Sequence, residues 1–89
     1  MFIPDPEQEK KAILNRYRQL LRVWKPANKK EKLEVRKAFN LAVDAHKDMR
    51  RRTGEPYIYH PLEVARIVAG EIGLGKTSII SALLHDVVE

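Results

Sequence analysis

Residues 61–78, PLEVARIVAGEIGLGKTS, decide the fold class, because the run from Gly70 to Thr77 matches the phosphate-loop pattern G-x-x-x-x-G-K-[ST]. A phosphate loop requires a buried strand before it and a helix after it. The segment from Pro61 to Ala69 instead begins with a proline and carries apolar residues at helical spacing. The sequence therefore predicts a glycine-rich connection between two helices, and no sheet on which a phosphate loop could be built.

The rest of the chain also carries helical signals. Asp5 and Asn28 are typical helix caps, Pro6 suits a first helical position, and Thr77 or Ser78 is expected to cap the last helix. We expect one all-α domain over residues 1–89, with four helices at about 5–24, 29–50, 61–72 and 77–89. Their apolar stripes predict a core built from Ile13, Leu14, Tyr17, Leu20, Leu21, Trp24, Leu33, Ala38, Phe39, Ala42, Val43, Met49, Leu62, Ala65, Ile67, Val68, Ile79 and Ile80.

Composition limits the classes of function. The chain has 89 residues, no cysteine and a formal net charge of +5. The absence of cysteine excludes disulfides, thiolate metal sites and cysteine nucleophiles. No apolar run approaches the roughly 18 residues of a membrane span, so we expect a cytoplasmic protein with no membrane partner. The positive charge fits either an anionic partner, such as a nucleotide, or a solvated basic surface.

Three residues are candidate metal ligands: His60 and the adjacent pair His85 and Asp86. Adjacent helical residues point about 100° apart, so at most one member of the pair can face an apolar core. A carboxylate among apolar residues needs a partner, and a divalent cation shared with neutral imidazoles supplies one. An exposed Asp86, or one paired with Arg66, explains the pattern as well. His46 lies on an apolar helix face and is more typical of a packed histidine than of a ligand.

Two longer runs carry a family resemblance. RRTGEPYIYHPL at residues 51–62 and ALLHDVVE at residues 82–89 closely resemble the N-terminal hydrolase domain of the long Rel/Spo stringent-response enzymes. Those bifunctional enzymes make and degrade guanosine tetra- and pentaphosphate, (p)ppGpp, and their hydrolase is an HD-type helical domain. The resemblance implies an incomplete HD-type helical bundle that hydrolyses the 3′-pyrophosphate of (p)ppGpp, in a parent enzyme that is also a GTP pyrophosphokinase.

The resemblance also implies roles for individual residues. His60, His85 and Asp86 match three of the four metal ligands of the family, whose metal is usually manganese. Glu89 matches the first of two acidic residues that handle the attacking water.

The nucleotide contacts follow from the same comparison of motifs. Arg51, Arg52 and Thr53 match the basic loop that holds the guanine nucleotide. His46 and Tyr57 are expected to border that pocket.

The chain departs from the family pattern at its end, where the second acidic residue and the fourth metal ligand are missing. We therefore expect an N-terminal piece of a longer enzyme, inactive by itself. Exposed apolar residues on its last helix (Leu83, Leu84, Val87 and Val88) would favour homo-oligomerisation or exchange of that helix between chains. Two other functions stay open: a basic module that binds nucleic acid through Arg50 to Arg52, and an HD phosphohydrolase for another nucleotide. The leading interpretation expects no nucleic-acid partner.

Overall fold

A computed structural model describes residues 5–87 as four α-helices and one π-helical turn. In chain order these are α1 (Pro6–Val23), α2 (Lys29–His46), α3 (Tyr59–Ile67), the π turn (Val68–Ile72) and α4 (Lys76–Leu84). The described residues form no strand, and their one isolated antiparallel bridge joins Arg50 to Pro56. The all-α prediction is confirmed. None of the described helices has the length and apolar character that crossing a membrane requires.

The first two helices begin where their caps predict. The Asp5 carboxylate accepts hydrogen bonds from the backbone N–H groups of Glu7 and Gln8, at 3.1 and 3.3 Å. The Asn28 side-chain oxygen accepts one from the N–H of Glu31 at 2.9 Å. Each cap satisfies donors that the first helical turn leaves without an intrahelical partner, so the local sequence sets these two starts.

Several other predicted boundaries are wrong. α2 ends at His46 and not near residue 50, because the following residues form a turn in which the N–H of Tyr57 donates to the carbonyl of Met49. α3 begins at Tyr59, two residues before the predicted start. α4 ends at Leu84, where a backbone turn follows. The predicted end of that helix at residue 89 lies outside the described residues.

The glycine-rich segment is a connection between helices, as predicted. Gly73 has φ of +78°, a left-handed conformation that glycine adopts without steric cost, and its N–H donates to the carbonyl of Val68. α4 then begins directly after Gly75. Thr77 and Ser78 therefore lie inside the first turn of α4, and the prediction that either of them caps the helix is wrong.

The core lies where three pairs of elements meet. α4 packs against α2 and α3, and α1 packs against α3. α1 also meets α2 through stacked rings of Tyr17 and Phe39, whose centroids are 4.2 Å apart. The buried apolar residues are Tyr17, Leu20, Trp24, Val35, Ala38, Phe39, Ala42, Ile58, Leu62, Ala65, Ala69, Ile79, Ala82 and Leu83. This packing brings the start of α3 next to the end of α4.

Burial differs from the prediction at several apolar positions. Leu33 is 63% exposed and Met49 is largely exposed, whereas Val35, which was left out of the predicted stripe of α2, is buried. Leu83 is completely buried, and Leu84 and Val87 are partly buried against the core. The predicted exposed apolar face of α4 is therefore wrong for Leu83, and Val88 lies outside the described residues. Oligomerisation or helix exchange stays a prediction, but the buried side chain of Leu83 is not available for such a contact.

Candidate functional site

The three predicted metal ligands come together. His60 lies in the first turn of α3, while His85 and Asp86 follow the last residue of α4. One ligand atom from each residue can be chosen so that all three atoms lie within 4.8 Å of one another. We call these residues the metal triad. His85 and Asp86 lie in a turn after α4 and not inside an apolar helix as predicted.

Hydrogen bonding orients the His85 ring for a cation. Its Nδ1 lies 2.6 Å from the carbonyl oxygen of Ala82, which can only accept, so Nδ1 carries the proton and donates it. In the neutral ring Nε2 then holds a lone pair. That Nε2 lies 3.1 Å from Oδ2 of Asp86. Two acceptors at this distance repel each other unless a proton or a cation lies between them, so the pair is suited to bind a positive charge.

The carboxylate of Asp86 is held from another part of the chain. The hydroxyl of Tyr57 donates a hydrogen bond of 2.6 Å to Asp86 Oδ2. This bond, together with the nearby histidines and His85 first among them, lowers the pKa of Asp86 below its usual value. The ionised carboxylate, which is the form that ligates a metal, is therefore favoured further over the protonated form. Arg66, the other partner considered for Asp86, is bonded instead to Glu63, at 2.6 Å.

The triad fits a small divalent cation. Two imidazoles and a carboxylate form a mixed nitrogen and oxygen donor set, which suits first-row divalent metals. Protein nitrogen and oxygen ligands lie roughly 2.0–2.2 Å from such an ion, so two ligands of one ion lie about 4 Å apart or less. The separations within the triad, up to 4.8 Å, therefore need only small side-chain rotations to close.

A basic turn lies beside the triad, at residues 50–56. The N–H of Arg51 donates to the carbonyl of Glu55 at 3.0 Å, and the N–H of Gly54 donates to the carbonyl of Arg51 at 2.8 Å. Gly54 has φ of +93°, which a residue with a Cβ rarely adopts. The turn presents its side chains to a cavity of about 320 Å³ lined by Arg50, Arg51, Arg52, Thr53, Tyr57 and His60. We call this the basic cavity, and His60 joins it to the metal triad.

Arg50 holds this turn against α1. Its Nη1 and Nη2 donate to Oε2 and Oε1 of Glu9, each at 2.7 Å, and Nη1 also donates to the carbonyl of Gly54 at 2.8 Å. Such a paired geometry is the strong form of an arginine–carboxylate contact. The Arg50 guanidinium therefore stabilises the turn. Arg51 and Arg52 also line the cavity, and Nε of Arg51 lies 4.0 Å from Oε1 of Glu55.

The Glu9–Arg50 pair predicts an acid-dependent loss of stability. The hydrogen bond from Arg50 lowers the pKa of Glu9 below its ordinary 4.5. A carboxyl with a lowered pKa in the folded state stabilises the protein above its unfolded pKa, and the effect disappears as the pH falls through the folded pKa. We expect Glu9→Gln to lower the urea midpoint at neutral pH, and the difference from the unmodified chain to shrink below about pH 4. A difference that is constant with pH would contradict this.

Lys76, the invariant lysine of the phosphate-loop pattern, is used elsewhere. Its Nζ forms a salt bridge of 2.9 Å with Glu34 Oε2, which joins the start of α4 to α2. Residues 61–72 are helical, so no strand precedes the glycines. The backbone N–H groups of residues 70–77 therefore lack the strand–loop–helix framework that directs them at a phosphate in a phosphate loop. The Lys76 side chain thus joins α4 to α2 through an ion pair.

Comparison with known proteins identifies the family. The family model described as HD domain matches residues 38–89, which is more than half of the chain and includes both the basic turn and the triad. The chain belongs to the HD-domain family. The HD-type prediction is confirmed.

Curated relatives of this HD domain are large enzymes. A guanosine-3′,5′-bis(diphosphate) 3′-pyrophosphohydrolase of Aquifex aeolicus is 48% identical over 56 residues, 63% of this chain and 8% of the relative. A bifunctional (p)ppGpp synthase/hydrolase RelA of Mycobacterium tuberculosis and a GTP pyrophosphokinase of Myxococcus xanthus are each 46% identical over 55 residues, 62% of this chain and 7% of the relative. The matched part of the chain therefore covers less than a tenth of the length of these relatives.

Sequence reasoning missed two features of the site. It placed Tyr57 only at the border of the nucleotide pocket, whereas its hydroxyl bonds directly to Asp86. It gave Glu9 no role in the site, and it counted Arg50 among the residues available to a nucleic acid. No sequence signal marks either contact, because the partners lie 29 and 41 residues apart.

Proposed function

We propose that this HD domain belongs to a metal-dependent hydrolase that removes the 3′-pyrophosphate of guanosine tetra- or pentaphosphate, giving GDP or GTP. One observation carries the proposal: the metal triad and the basic cavity share His60, so a bound polyphosphate would lie beside the triad. The printed names of the relatives from Aquifex aeolicus and Mycobacterium tuberculosis support (p)ppGpp as the substrate.

The metal triad would hold the cation, for which we propose Mn²⁺. A bound divalent cation supplies a water of lowered pKa and offsets charge on a phosphoryl oxygen. The chain's own contribution is to hold His85 with Nε2 directed at Asp86 and to orient the Asp86 carboxylate through the hydroxyl of Tyr57. Glu89, which lies outside the described residues, is proposed to orient the attacking water and to take its proton.

The basic cavity would bind the nucleotide. Arg51 and Arg52 offer planar guanidinium groups that can donate paired hydrogen bonds to phosphate oxygens, and Thr53 adds a hydroxyl. The positive charge also offsets the repulsion between the polyphosphate and an incoming hydroxide. Arg50 is held by Glu9 and Gly54, so it shapes the cavity and keeps its two neighbours in place.

The same proposal extends to the whole protein. We infer a bifunctional enzyme of the cytoplasm that also acts as a GTP pyrophosphokinase, with guanine nucleotides as its partners and no nucleic acid bound by this segment. Homo-oligomerisation through α4 stays a prediction.

Pyrophosphate release is the direct test. In the protein as its gene encodes it, we expect Mn²⁺-dependent release of pyrophosphate from ppGpp. Arg52→Ala should raise the KM by about 10- to 100-fold, because a hydrogen bond to a charged group contributes roughly 1.5–3 kcal/mol. The measurement is steady-state kinetics with ppGpp as the varied substrate.

Lys76→Ala is the matched control for the loss of one positive charge. Because its Nζ is bound to Glu34, KM and kcat should both stay close to those of the unmodified protein. A large loss of nucleotide binding in Lys76→Ala would restore the phosphate-loop hypothesis. Hydrolysis of another nucleotide in preference to ppGpp would indicate a different HD phosphohydrolase. Salt-dependent binding of arbitrary duplexes without hydrolysis would indicate a nucleic-acid module.

A further inference from the structure

Four aromatic rings form a continuous row through the site. The ring centroids of His46 and Tyr57 are 4.8 Å apart, those of Tyr57 and His60 are 5.9 Å apart, and those of His60 and His85 are 5.7 Å apart. The row begins at the last residue of α2, passes the start of α3 and ends just beyond α4. The two triad histidines are thus one end of a row whose other end is buried.

The buried end of the row is held by packing. His46 is 4% exposed, and its Nδ1 lies 3.3 Å from the Met49 sulfur, a weak acceptor. Its Nε2 is buried and has no hydrogen-bond partner among the residues that the structure describes. A buried ring nitrogen without a partner costs free energy. The ring of His46, with its centroid 4.8 Å from that of Tyr57, packs against one side of the Tyr57 ring.

Tyr57 stands at the centre of the site. It lines the basic cavity together with His60, and it also lines a second cavity of about 330 Å³ together with His46 and Asp86. Its hydroxyl bond to Asp86, at 2.6 Å, has the length of a hydrogen bond to an ionised acceptor. Since Asp86 lies in a turn beyond the end of α4, a contact from another segment is what restricts the rotation of its carboxylate.

We propose that Tyr57 is the positioning residue of the metal triad: its hydroxyl holds the Asp86 carboxylate toward His85, and its ring, held by His46, supports His60. This rests on the proposed function, because it requires that the triad binds a divalent cation. The triad is thereby arranged before the cation arrives, and less ordering is needed on binding. Partners that orient metal ligands typically change metal affinity by about 10- to 100-fold when they are removed.

Tyr57→Phe isolates the hydroxyl, because phenylalanine keeps the ring and its place in the row. Mn²⁺ binding to the protein as its gene encodes it can be measured by electron paramagnetic resonance, in which the signal of free aqueous Mn²⁺ falls as the ion binds. We expect Tyr57→Phe to raise the Kd for Mn²⁺ by about 10- to 100-fold. The thermal midpoint of the metal-free chain should hardly change, since a single partly exposed hydrogen bond contributes little to folding.

Tyr59→Phe is the matched control, because the Tyr59 ring packs under the Arg16 guanidinium, 4.1 Å from its centroid, and takes no part in the row. It should bind Mn²⁺ like the unmodified chain. Equal Kd values for Tyr57→Phe and the unmodified chain would overturn the inference, and so would a weaker Kd in Tyr57→Phe that is matched by a fall in thermal midpoint large enough to unfold it.

A third variant separates this inference from the proposed function. His85→Ala removes a triad ligand and should lose Mn²⁺ binding even though Tyr57 is unchanged. If His85→Ala loses binding and Tyr57→Phe does not weaken it, only the role of Tyr57 is refuted. If the unmodified protein, as its gene encodes it, binds no Mn²⁺, or if its His85→Ala variant binds Mn²⁺ equally well, the proposed function is refuted along with it.

Discussion

His85→Ala is expected to abolish Mn²⁺-dependent release of pyrophosphate from ppGpp. The substitution removes the Nε2 that faces Asp86 and the Nδ1 bond to the Ala82 carbonyl that fixes the ring. Removal of an outer-shell partner costs about 10- to 100-fold in metal affinity or activity, and removal of a ligand should cost more than that. The measurement is the initial rate of pyrophosphate release in the protein as its gene encodes it, over a series of Mn²⁺ concentrations.

A folding control must accompany this variant. His85 is 40% exposed and lies beyond the last turn of α4, so the circular dichroism spectrum and thermal midpoint of His85→Ala should resemble those of the unmodified protein. Lys76→Ala, at the other end of the same helix, should retain its activity. Full activity in a folded His85→Ala variant would show that the triad is not the reaction centre.

Leu83→Ala is expected to destabilise the chain by about 2–5 kcal/mol, because it leaves a cavity at a fully buried position of the core. Typical domains have only roughly 5–15 kcal/mol of stability in total, so much of the chain should unfold under mild denaturation. Urea titration followed by helical circular dichroism measures the effect.

Leu33→Ala provides the matched control, since it makes the same chemical change on a helix surface where the side chain is 63% exposed. It should shift stability by no more than about 0.5 kcal/mol. The sequence alone predicts the opposite order, with Leu33 in the core and Leu83 on an exposed face. A larger effect for Leu33→Ala would therefore contradict the packing of α2 and α4 described above.

Helix existence and the starts of the side-chain-capped helices α1 and α2 are local properties, and the sequence predicts them. α3 and α4 have no side-chain cap, and their predicted starts differ from the observed ones. Asp5 and Asn28 cap α1 and α2 because a side-chain oxygen reaches N–H groups two or three residues away. The end of α2 is a different case. Its helical pattern continues past His46, but the chain there leaves the helix and forms the basic turn, beside which the N–H of Tyr57 donates to the carbonyl of Met49. Such a contact depends on where the following segment folds, which no local pattern contains.

The candidate site likewise has residues that the sequence marks and contacts that only the tertiary structure reveals. Their ligand chemistry marks His60, His85 and Asp86 in the sequence, and the family resemblance adds Arg51 and Arg52. The structure brings the triad together within 4.8 Å, while the Glu9–Arg50 and Tyr57–Asp86 bonds join segments that are distant in the chain. These bonds involve common residue types at unremarkable positions, so composition and spacing carry no trace of them.

Residues 61–78 show both what the sequence determines and what the tertiary structure decides. The sequence by itself determined that they could not form a phosphate loop, because its apolar spacing predicts a helix before the glycines, where a phosphate loop needs a strand. Only the tertiary structure decided what Lys76 does instead, since its salt bridge with Glu34 requires α4 to pack against α2. Helix formation follows from interactions within a few residues, whereas burial and ion pairing depend on which helix faces meet.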